Sequence, residues 1–174
     1  MKKYEPTPKE INFLNKISEA AEAGDPVSQR VVAEIYLLGK YGISKDEAQA
    51  FNWYKEAAEQ EDEVAQCNVG WFYYADVLGE GAEYDKAAAW FRKAAEQGLA
   101  IAQNNLAFCY EYGRGVKQDL ACALKWYLKA AEQGLRSAHA NFKRCCLKAN
   151  KAVRAEFKAN QEKIPGYYIQ ELEK

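Results

Sequence analysis

One segment of about 37 residues occurs three times in this chain, and that repetition limits the folds open to it. The copies are WYKEAAEQEDEVAQCNVGWFY from Trp53, WFRKAAEQGLAIAQNNLAFCY from Trp90 and WYLKAAEQGLRSAHANFKRCC from Trp126. A degraded fourth copy, AAEAG, begins at Ala20. A fixed period of roughly 20–50 residues is typical of small supersecondary units that stack, because one unit cannot bury its apolar face alone.

Each copy has the apolar spacing of two helices. In the last copy, Ala123, Tyr127 and Ala131 follow one another at intervals of four residues, which places them on one helical face. Ala138 and Phe142 repeat that spacing in the second half. The same pattern along the chain predicts helices near 7–23, 26–38, 45–60, 62–78, 84–97, 99–112, 119–133, 135–149 and 151–162. Pro165 should block the continuation of the ninth helix, so IPGYYIQELEK from Ile164 is predicted to be a tail.

Glycines mark the turns between the two helices of a copy. Gly24, Gly98 and Gly134 each follow a predicted helix, where a left-handed residue commonly ends it. Glu61 stands at the equivalent position of the second copy. If the turn keeps its geometry there, Glu61 should cost about 1 kcal/mol relative to glycine.

These patterns predict an all-α protein, an α/α superhelical solenoid of about four helix-hairpin repeats with a C-terminal capping helix. We expect one domain over 1–174, with repeats at about 7–42, 43–82, 83–117 and 118–149, and the capping helix and tail at 150–174. Val153 and Phe157 lie on the apolar face that would cover the last repeat. The apolar side chains of the tail are expected to fold back over this cap rather than dock on a partner; they are Tyr167, Tyr168 and Ile169.

The repeated pattern is A-x-x-W-Y-x-K-A-A-E-Q-G-x-x-x-A-Q-x-N-L-x-x-x-Y-x-x-G-x-G-V, followed closely by 87–103, by 123–138 and by YEYGRGV from Tyr110. Over roughly residues 10–147 the chain resembles the Sel-1-like repeat family, relatives of the tetratricopeptide repeat. The resemblance implies an α/α solenoid that serves as a scaffold or adaptor for protein complexes. Bacterial members of that family act in signalling, in host interaction and as immunity partners of secreted toxins. Lys16 replaces the tryptophan in the first copy, and EQEDE replaces the glycine turn in the second, so the resemblance implies no ligand.

Catalytic motifs are absent from the sequence. His139 is the one histidine, and no serine, cysteine or carboxylate is placed with it by spacing. No phosphate-binding loop, nucleophile elbow or zinc-protease motif occurs. We therefore predict a protein that is not an enzyme and needs no cofactor and no metal. An enzyme or metal protein built on the solenoid stays an alternative, as does a self-assembling structural module.

Cysteine usage and hydropathy predict the cellular compartment of the protein. The five cysteines are odd in number and form no C-x-x-C pair, which favours free thiols in a reducing compartment. No apolar run is long enough to span a membrane, and MKKYEPTPKE lacks the apolar region of a secretory signal. The expected location is the cytoplasm, with no membrane partner.

Charge is distributed unevenly although the net charge is only −1. Residues 46–85 hold eleven acidic residues and one basic residue, Lys55, whereas residues 140–163 hold seven basic and two acidic residues. Three interpretations stay open: solvated faces, an acidic patch for a basic partner, and head-to-tail self-association. Nucleic acid is not an expected partner, because the basic end lacks stacking aromatic residues.

A solenoid binds partners on its inner wall, and in related repeats the first helices of successive units line that wall. The outward face of those helices and the acidic turn after the second one supply the predicted partner-binding residues. They are Asn52, Glu56, Glu59, Glu61, Asp62, Glu63, Arg92, Lys93, Lys125 and Lys129. Trp53, Trp90 and Trp126 flank this stripe, either as packing between helices or as partly exposed rims of a groove. The predicted function is a non-catalytic scaffold that binds a protein, with an immunity or regulatory role in a bacterium as one form of it.

Overall fold

A computed structural model of the chain describes residues 4–159 and 164–173, apart from the side chain of Tyr167. This part of the chain is all-α and contains ten helices and no strand. The helices are α1 (Pro8–Glu22), α2 (Pro26–Leu38), α3 (Glu47–Glu59), α4 (Glu63–Ala75), α5 (Tyr84–Glu96), α6 (Ala100–Tyr112), α7 (Leu120–Glu132), α8 (Arg136–Lys148), α9 (Lys151–Ala159) and α10 (Gly166–Glu173). The predicted α/α solenoid is thereby confirmed.

Short polar side chains begin many of these helices. Thr7 caps α1 in a reciprocal box: its hydroxyl accepts from the Glu10 backbone N–H at 3.3 Å, and the Glu10 carboxylate accepts from the Thr7 N–H at 2.7 Å. Aspartates cap four other helices by accepting a backbone N–H three residues ahead. They are Asp25 before α2, Asp46 before α3, Asp62 before α4 and Asp119 before α7.

The predicted helix boundaries agree with the structure to within about three residues through α9, although residues 160–162 of the ninth prediction lie outside the described part. The predicted non-helical tail is wrong, because Gly166–Glu173 forms α10. Pro165 lies immediately before α10, where a missing backbone N–H costs nothing.

The turn after α3 keeps the geometry of its glycine counterparts. Gly24, Gly98 and Gly134 have φ of +95°, +105° and +85°, and Glu61 adopts +68°. The expectation that Glu61 occupies a left-handed position is therefore confirmed. A side chain with a Cβ is strained in this region, so the turn stores free energy that glycine would not.

The helices form two compact units, residues 1–83 and 84–174. In the first unit, α2 packs against α1 and α3, and α3 packs against α4. Its core combines small and large apolar side chains that are at most 8% exposed. Ala57 and Ala65 let α3 and α4 approach closely, while Tyr54, Val69 and Phe72 fill the space beside them.

In the second unit, α6 packs against α5 and α7, and α7 packs against α8. The same arrangement of small and large side chains recurs here. Ala102 and Ala138 are fully buried, and so are Leu106 and Phe142, four residues after each of them. Helix α9 packs against α7 and α10 against α8. Phe157 of α9 is 2% exposed, in agreement with its predicted role as a cap.

The tail folds back onto the last repeat, as predicted. Tyr168 of α10 is 4% exposed, and its ring meets that of Phe142 at 4.8 Å between centroids. It also stacks on His139 at 5.4 Å, and its hydroxyl hydrogen-bonds to His139 Nδ1. Leu172 is buried on the same side.

A glutamine contact recurs at the AQ and AAEQ positions of the repeated segment. Gln29, Gln66 and Gln103 each donate from Nε2 to a backbone carbonyl eight residues earlier, at 3.2–3.3 Å. Gln60 then donates to Gln29 at 2.8 Å and Gln133 to Gln103 at 2.9 Å. These side-chain pairs connect one copy to the next inside each compact unit, so the AQ and AAEQ motifs together form one hydrogen-bonded contact between copies.

Candidate functional site

The outward face of α3 forms a shallow depression of about 400 Å³. Three of the predicted partner-binding residues, Asn52, Glu56 and Glu59, line it together. Its other walls are Gln49, Trp53 and Lys55. Asn52, Glu56 and Glu59 are exposed, and Trp53 is half-buried. The depression therefore brings two exposed carboxylates together with the half-buried Trp53 side chain.

The acidic turn after α3 divides into exposed and structural residues. Glu61 and Glu63 are exposed. Asp62 differs, because its side chain is only 9% exposed and both carboxylate oxygens are engaged. One accepts from the Ala65 N–H at 2.7 Å, and the other pairs with Arg30 Nε at 3.1 Å. Asp62 thus joins α2 to the start of α4, and its charge is directed to Arg30.

The two compact units carry opposite net charge. Residues 1–83 contain 16 acidic and 8 basic residues, a net charge of −8, and residues 84–174 contain 9 acidic and 16 basic residues, a net charge of +7. Six predicted partner-binding residues belong to the acidic unit, and four belong to the basic one. Arg92 and Lys93 lie on α5, and Lys125 and Lys129 lie on α7.

Two of these lysines cover tryptophans of their own helix. Lys93 Nζ lies 4.0 Å from the centroid of the Trp90 ring, and Lys129 Nζ lies 4.7 Å from that of Trp126. Both distances fall within the range of a cation–π interaction. Leu128, which the helical pattern places on the same stripe as Lys125, is 2% exposed and belongs to the core instead.

Trp53, Trp90 and Trp126 are all half-buried. Both interpretations of these tryptophans, packing between helices and groove rim, therefore stay open. The aromatic residue after each of them is fully inside: Tyr54, Phe91 and Tyr127 are at most 1% exposed.

A second depression, of about 550 Å³, lies in the basic unit. Arg92 lines it with its guanidinium 5.6 Å from the Tyr110 ring centroid. The remaining walls come from the α6–α7 loop and the start of α7: Val116, Lys117, Gln118, Asp119 and Cys122. Asp119 is the cap of α7 and accepts from the Cys122 N–H at 2.9 Å, which lowers the pKa of that carboxyl.

Sequence reasoning missed a charged cluster around Glu111, whose side chain is fully buried. Arg144 binds both carboxylate oxygens, at 2.7 and 3.2 Å, and Lys148 Nζ lies 2.8 Å from one of them. Tyr127 donates its hydroxyl at 2.8 Å. Burial acts to raise the pKa of Glu111, but the hydrogen bonds from Arg144, Lys148 and Tyr127 outweigh it and lower that pKa.

The cysteines form no disulfide in the structure, and four of the five are buried. Burial raises the pKa of Cys109 to about 11 and those of Cys145 and Cys146 to about 12, so these thiols stay protonated near neutral pH. Within residues 4–159 and 164–173, no three metal-binding side chains are grouped so that they could hold an ion. None of the helices described has the length and apolar character needed to cross a membrane.

Solved structures similar to this chain are helical repeat proteins. A Sel1 repeat protein from Oxalobacter formigenes is 33% identical with a TM-score of 0.68, over 75% of this chain and 97% of that one. The protein c5321, a protective antigen present in uropathogenic Escherichia coli strains, displays an SLR fold and is 32% identical with a TM-score of 0.70. That match covers 92% of this chain but 38% of c5321, so the chain spans well under half of its length.

Helicobacter pylori cysteine rich protein B shares the fold at 20% identity, with a TM-score of 0.56 over 72% of this chain and 93% of that one. The comparison with curated proteins gives no match.

The model of the Sel1 repeat matches three consecutive segments, residues 26–62, 64–99 and 100–135. Each segment joins the second helix of one hairpin to the first helix of the next, namely α2 with α3, α4 with α5 and α6 with α7. The matches cover most of the repeated region and agree with the similarity to solved Sel1 structures. Sel1 repeat proteins are in general scaffolds for protein interaction and typically non-catalytic. This chain belongs to the Sel1 repeat family.

Proposed function

We propose that this chain is a non-catalytic adaptor that binds a basic protein through the acidic face of its first unit. The observation that carries the proposal is the net charge of −8 on residues 1–83, together with the exposed carboxylates of α3 and the following turn. Opposite charge on a partner would accelerate encounter and select against acidic competitors. Membership of the family supports a general role in protein binding, and the negative charge of the first unit supports a basic partner.

Three exposed glutamates, Glu59, Glu61 and Glu63, would carry much of the attraction. Asp62 is left out of this set because its carboxylate caps α4 and pairs with Arg30. The free thiols suit a reducing compartment, so the proposed location is the cytoplasm. Neutralisation of a basic secreted toxin would be one instance of such binding.

The test compares capture from a lysate of the native host by three immobilised forms of the chain. The wild type should retain a basic protein that elutes as salt is raised, and the triple variant Glu59→Lys, Glu61→Lys, Glu63→Lys should lose it. A variant with the same change of charge on other exposed glutamates, Glu19→Lys, Glu22→Lys, Glu80→Lys, should retain most of it. Equal capture by all three forms would contradict the proposal.

Self-association is a second candidate, favoured by the charges of −8 and +7 on the two units. Acidic and basic surfaces of successive copies could meet head to tail. Light scattering distinguishes this case, because the measured mass would rise with protein concentration at low salt and return to that of one chain at high salt. A mass of one chain under both conditions removes this candidate.

A further inference from the structure

Two of the three tryptophans at the start of the repeated segment are covered by a lysine of their own helix. Lys93 stands three residues after Trp90, and Lys129 stands three residues after Trp126, with each ammonium over the indole. In the second unit, each of these tryptophans therefore makes a cation–π contact with a lysine of its own helix. The distances of 4.0 and 4.7 Å show where a cation lies on this helical face.

The corresponding residue of α3 has the opposite charge. Glu56 occupies the position three residues after Trp53, and Glu59 follows one turn later. Among the residues that the structure describes, no lysine or arginine lies over the Trp53 ring. The lysine of this copy, Lys55, is one position earlier in the sequence than its counterparts and is itself one of the residues that line the depression.

The space left at this position is the depression of about 400 Å³ on α3. It is lined by the half-buried Trp53 side chain and by two exposed carboxylates, those of Glu56 and Glu59. One oxygen of Glu56 accepts from Gln29 Nε2 at 3.1 Å, which fixes the side chain while its other oxygen remains for a ligand. An aromatic face together with carboxylates attracts a compact cation by both quadrupole and charge.

We infer that the depression at Trp53 is a receptor site for a lysine or arginine side chain of the protein partner. The partner's cation would occupy the place that Lys93 and Lys129 occupy in the second unit, with Glu56 and Glu59 as its counter-charges. This inference rests on the proposed function and narrows it from an acidic surface to one anchoring site. It commits to a basic polypeptide segment, because the adjoining turn adds Glu61 and Glu63 on the same exposed acidic stretch.

The experiment uses the full chain and a defined probe, an acetylated and amidated peptide of alternating glycine and lysine. Its counterpart contains acetyl-lysine, which keeps the length and removes the charge. The indole N–H resonances in an ¹H–¹⁵N spectrum report each tryptophan separately, once single substitutions to phenylalanine assign them. The lysine peptide should move the Trp53 resonance, leave those of Trp90 and Trp126 in place, and lose its effect when the lysines are acetylated.

Two variants should weaken binding of the lysine peptide. Trp53→Leu removes the ring face and should weaken it about five-fold, the effect expected of one exposed cation–π contact. Glu56→Lys places a lysine where Lys93 stands and should weaken it about ten-fold or more, because it both fills the site and reverses its charge. The control is Glu63→Lys, which makes the same change of charge at an exposed position of α4 and should have a smaller effect.

A gain of binding provides the sharpest test. Lys93→Glu uncovers Trp90 and recreates the pattern of α3, since Glu96 already stands where Glu59 does. This variant should make the Trp90 resonance respond to the lysine peptide.

The outcomes separate this inference from the proposed function. Equal weakening by Glu56→Lys and Glu63→Lys with an unmoved Trp53 resonance overturns the receptor site and leaves a general acidic surface. If neither the variants nor the salt concentration change the affinity for the lysine peptide, both the receptor site and the proposed function are overturned.

Discussion

Arg144 on α8 binds Glu111 on α6 through both carboxylate oxygens, at 2.7 and 3.2 Å. The carboxylate is fully buried, whereas the side chains of Arg144 and Lys148 are 40% and 41% exposed. The anion is thus fixed inside the second unit while both cations reach solvent. Removal of the cations and removal of the anion should therefore differ in their consequences.

Glu111→Ala should lower the free energy of unfolding by about 3 kcal/mol, since it leaves a cavity and unpairs Tyr127 and Arg144. The double variant Glu111→Leu with Tyr127→Phe should cost less than about 1 kcal/mol, because it replaces the two buried polar groups by apolar groups of similar size and leaves two cations that already reach solvent. Earlier copies already carry this apolar pair in part, with Leu37 and Phe91 at the equivalent positions. Urea denaturation followed by circular dichroism measures both, and equal losses would contradict the expectation.

The same carboxylate should make the second unit sensitive to acid. The folded-state pKa of Glu111 lies below its ordinary value of 4.5, so the folded chain binds fewer protons than the unfolded chain in that range. Its stabilising contribution is complete above the ordinary pKa and is lost as the pH falls below 4.5 through the folded-state pKa. Denaturation midpoints measured between about pH 7 and pH 3 should fall less steeply for the double variant Glu111→Leu with Tyr127→Phe than for the wild type.

Glu61→Gly should raise the free energy of unfolding by about 1 kcal/mol, because the turn already has a φ of +68°. The matched control is Gly98→Ala, which imposes a Cβ on a φ of +105° and should lower stability by a similar amount. Thermal unfolding of the two variants and the wild type checks the pair. A destabilising Glu61→Gly would mean that the contacts of the glutamate side chain outweigh the strain of its backbone.

Gln103→Ala should destabilise the chain more than Gln133→Ala. Gln103 is 5% exposed and serves two partners, as donor to the Ala95 carbonyl at 3.2 Å and as acceptor from Gln133 at 2.9 Å. Its loss removes one of two donors to the Ala95 carbonyl, which keeps the Gly98 N–H at 3.1 Å, and also removes the acceptor of Gln133, at a cost of about 1 kcal/mol. Gln133 is exposed, so water can replace it. Chemical denaturation should rank the variants in this order.

Tyr168→Ala should lower stability by about 3 kcal/mol, because it removes a buried ring from Phe142 and His139. Tyr168→Phe keeps the packing and removes only the hydroxyl bonded to His139, so its cost should be about 1 kcal/mol. Hydrogen exchange of α8 should quicken in the alanine variant. Unchanged stability and exchange would show that α10 does not dock on α8 in solution.

Much of the fold was predictable because each structural role recurs several times along the chain. The columns of alanine and of larger side chains, such as Ala102 and Leu106, return at a fixed step and mark buried faces directly. Helix α10 has no such repetition. It is eight residues long, and a helix this short depends on tertiary packing, here of Tyr168 and Leu172, rather than on its local sequence.

The site was predictable in part for the same reason. Helical spacing places Asn52, Glu56 and Glu59 on one face, and the structure keeps them together. The charge count alone did not distinguish the structural role of Asp62 from that of the exposed acids beside it. Asp62 does align with Asp25, a helix cap one period earlier. Glu111 gave a weaker signal: it is an acid where the earlier copies have Leu37 and Tyr74, and its partner Arg144 is 33 residues away.

The glutamine contacts also bear on what can pack against α8. At the position of Gln29, Gln66 and Gln103, the last copy has His139, which hydrogen-bonds to Tyr168. A duplicated repeat inserted after α8 would find no glutamine to receive it and would meet a tyrosine already in place. Packing one more helix hairpin against α8 therefore requires both His139→Gln and displacement of α10, because the residue that would receive the new hairpin already binds Tyr168.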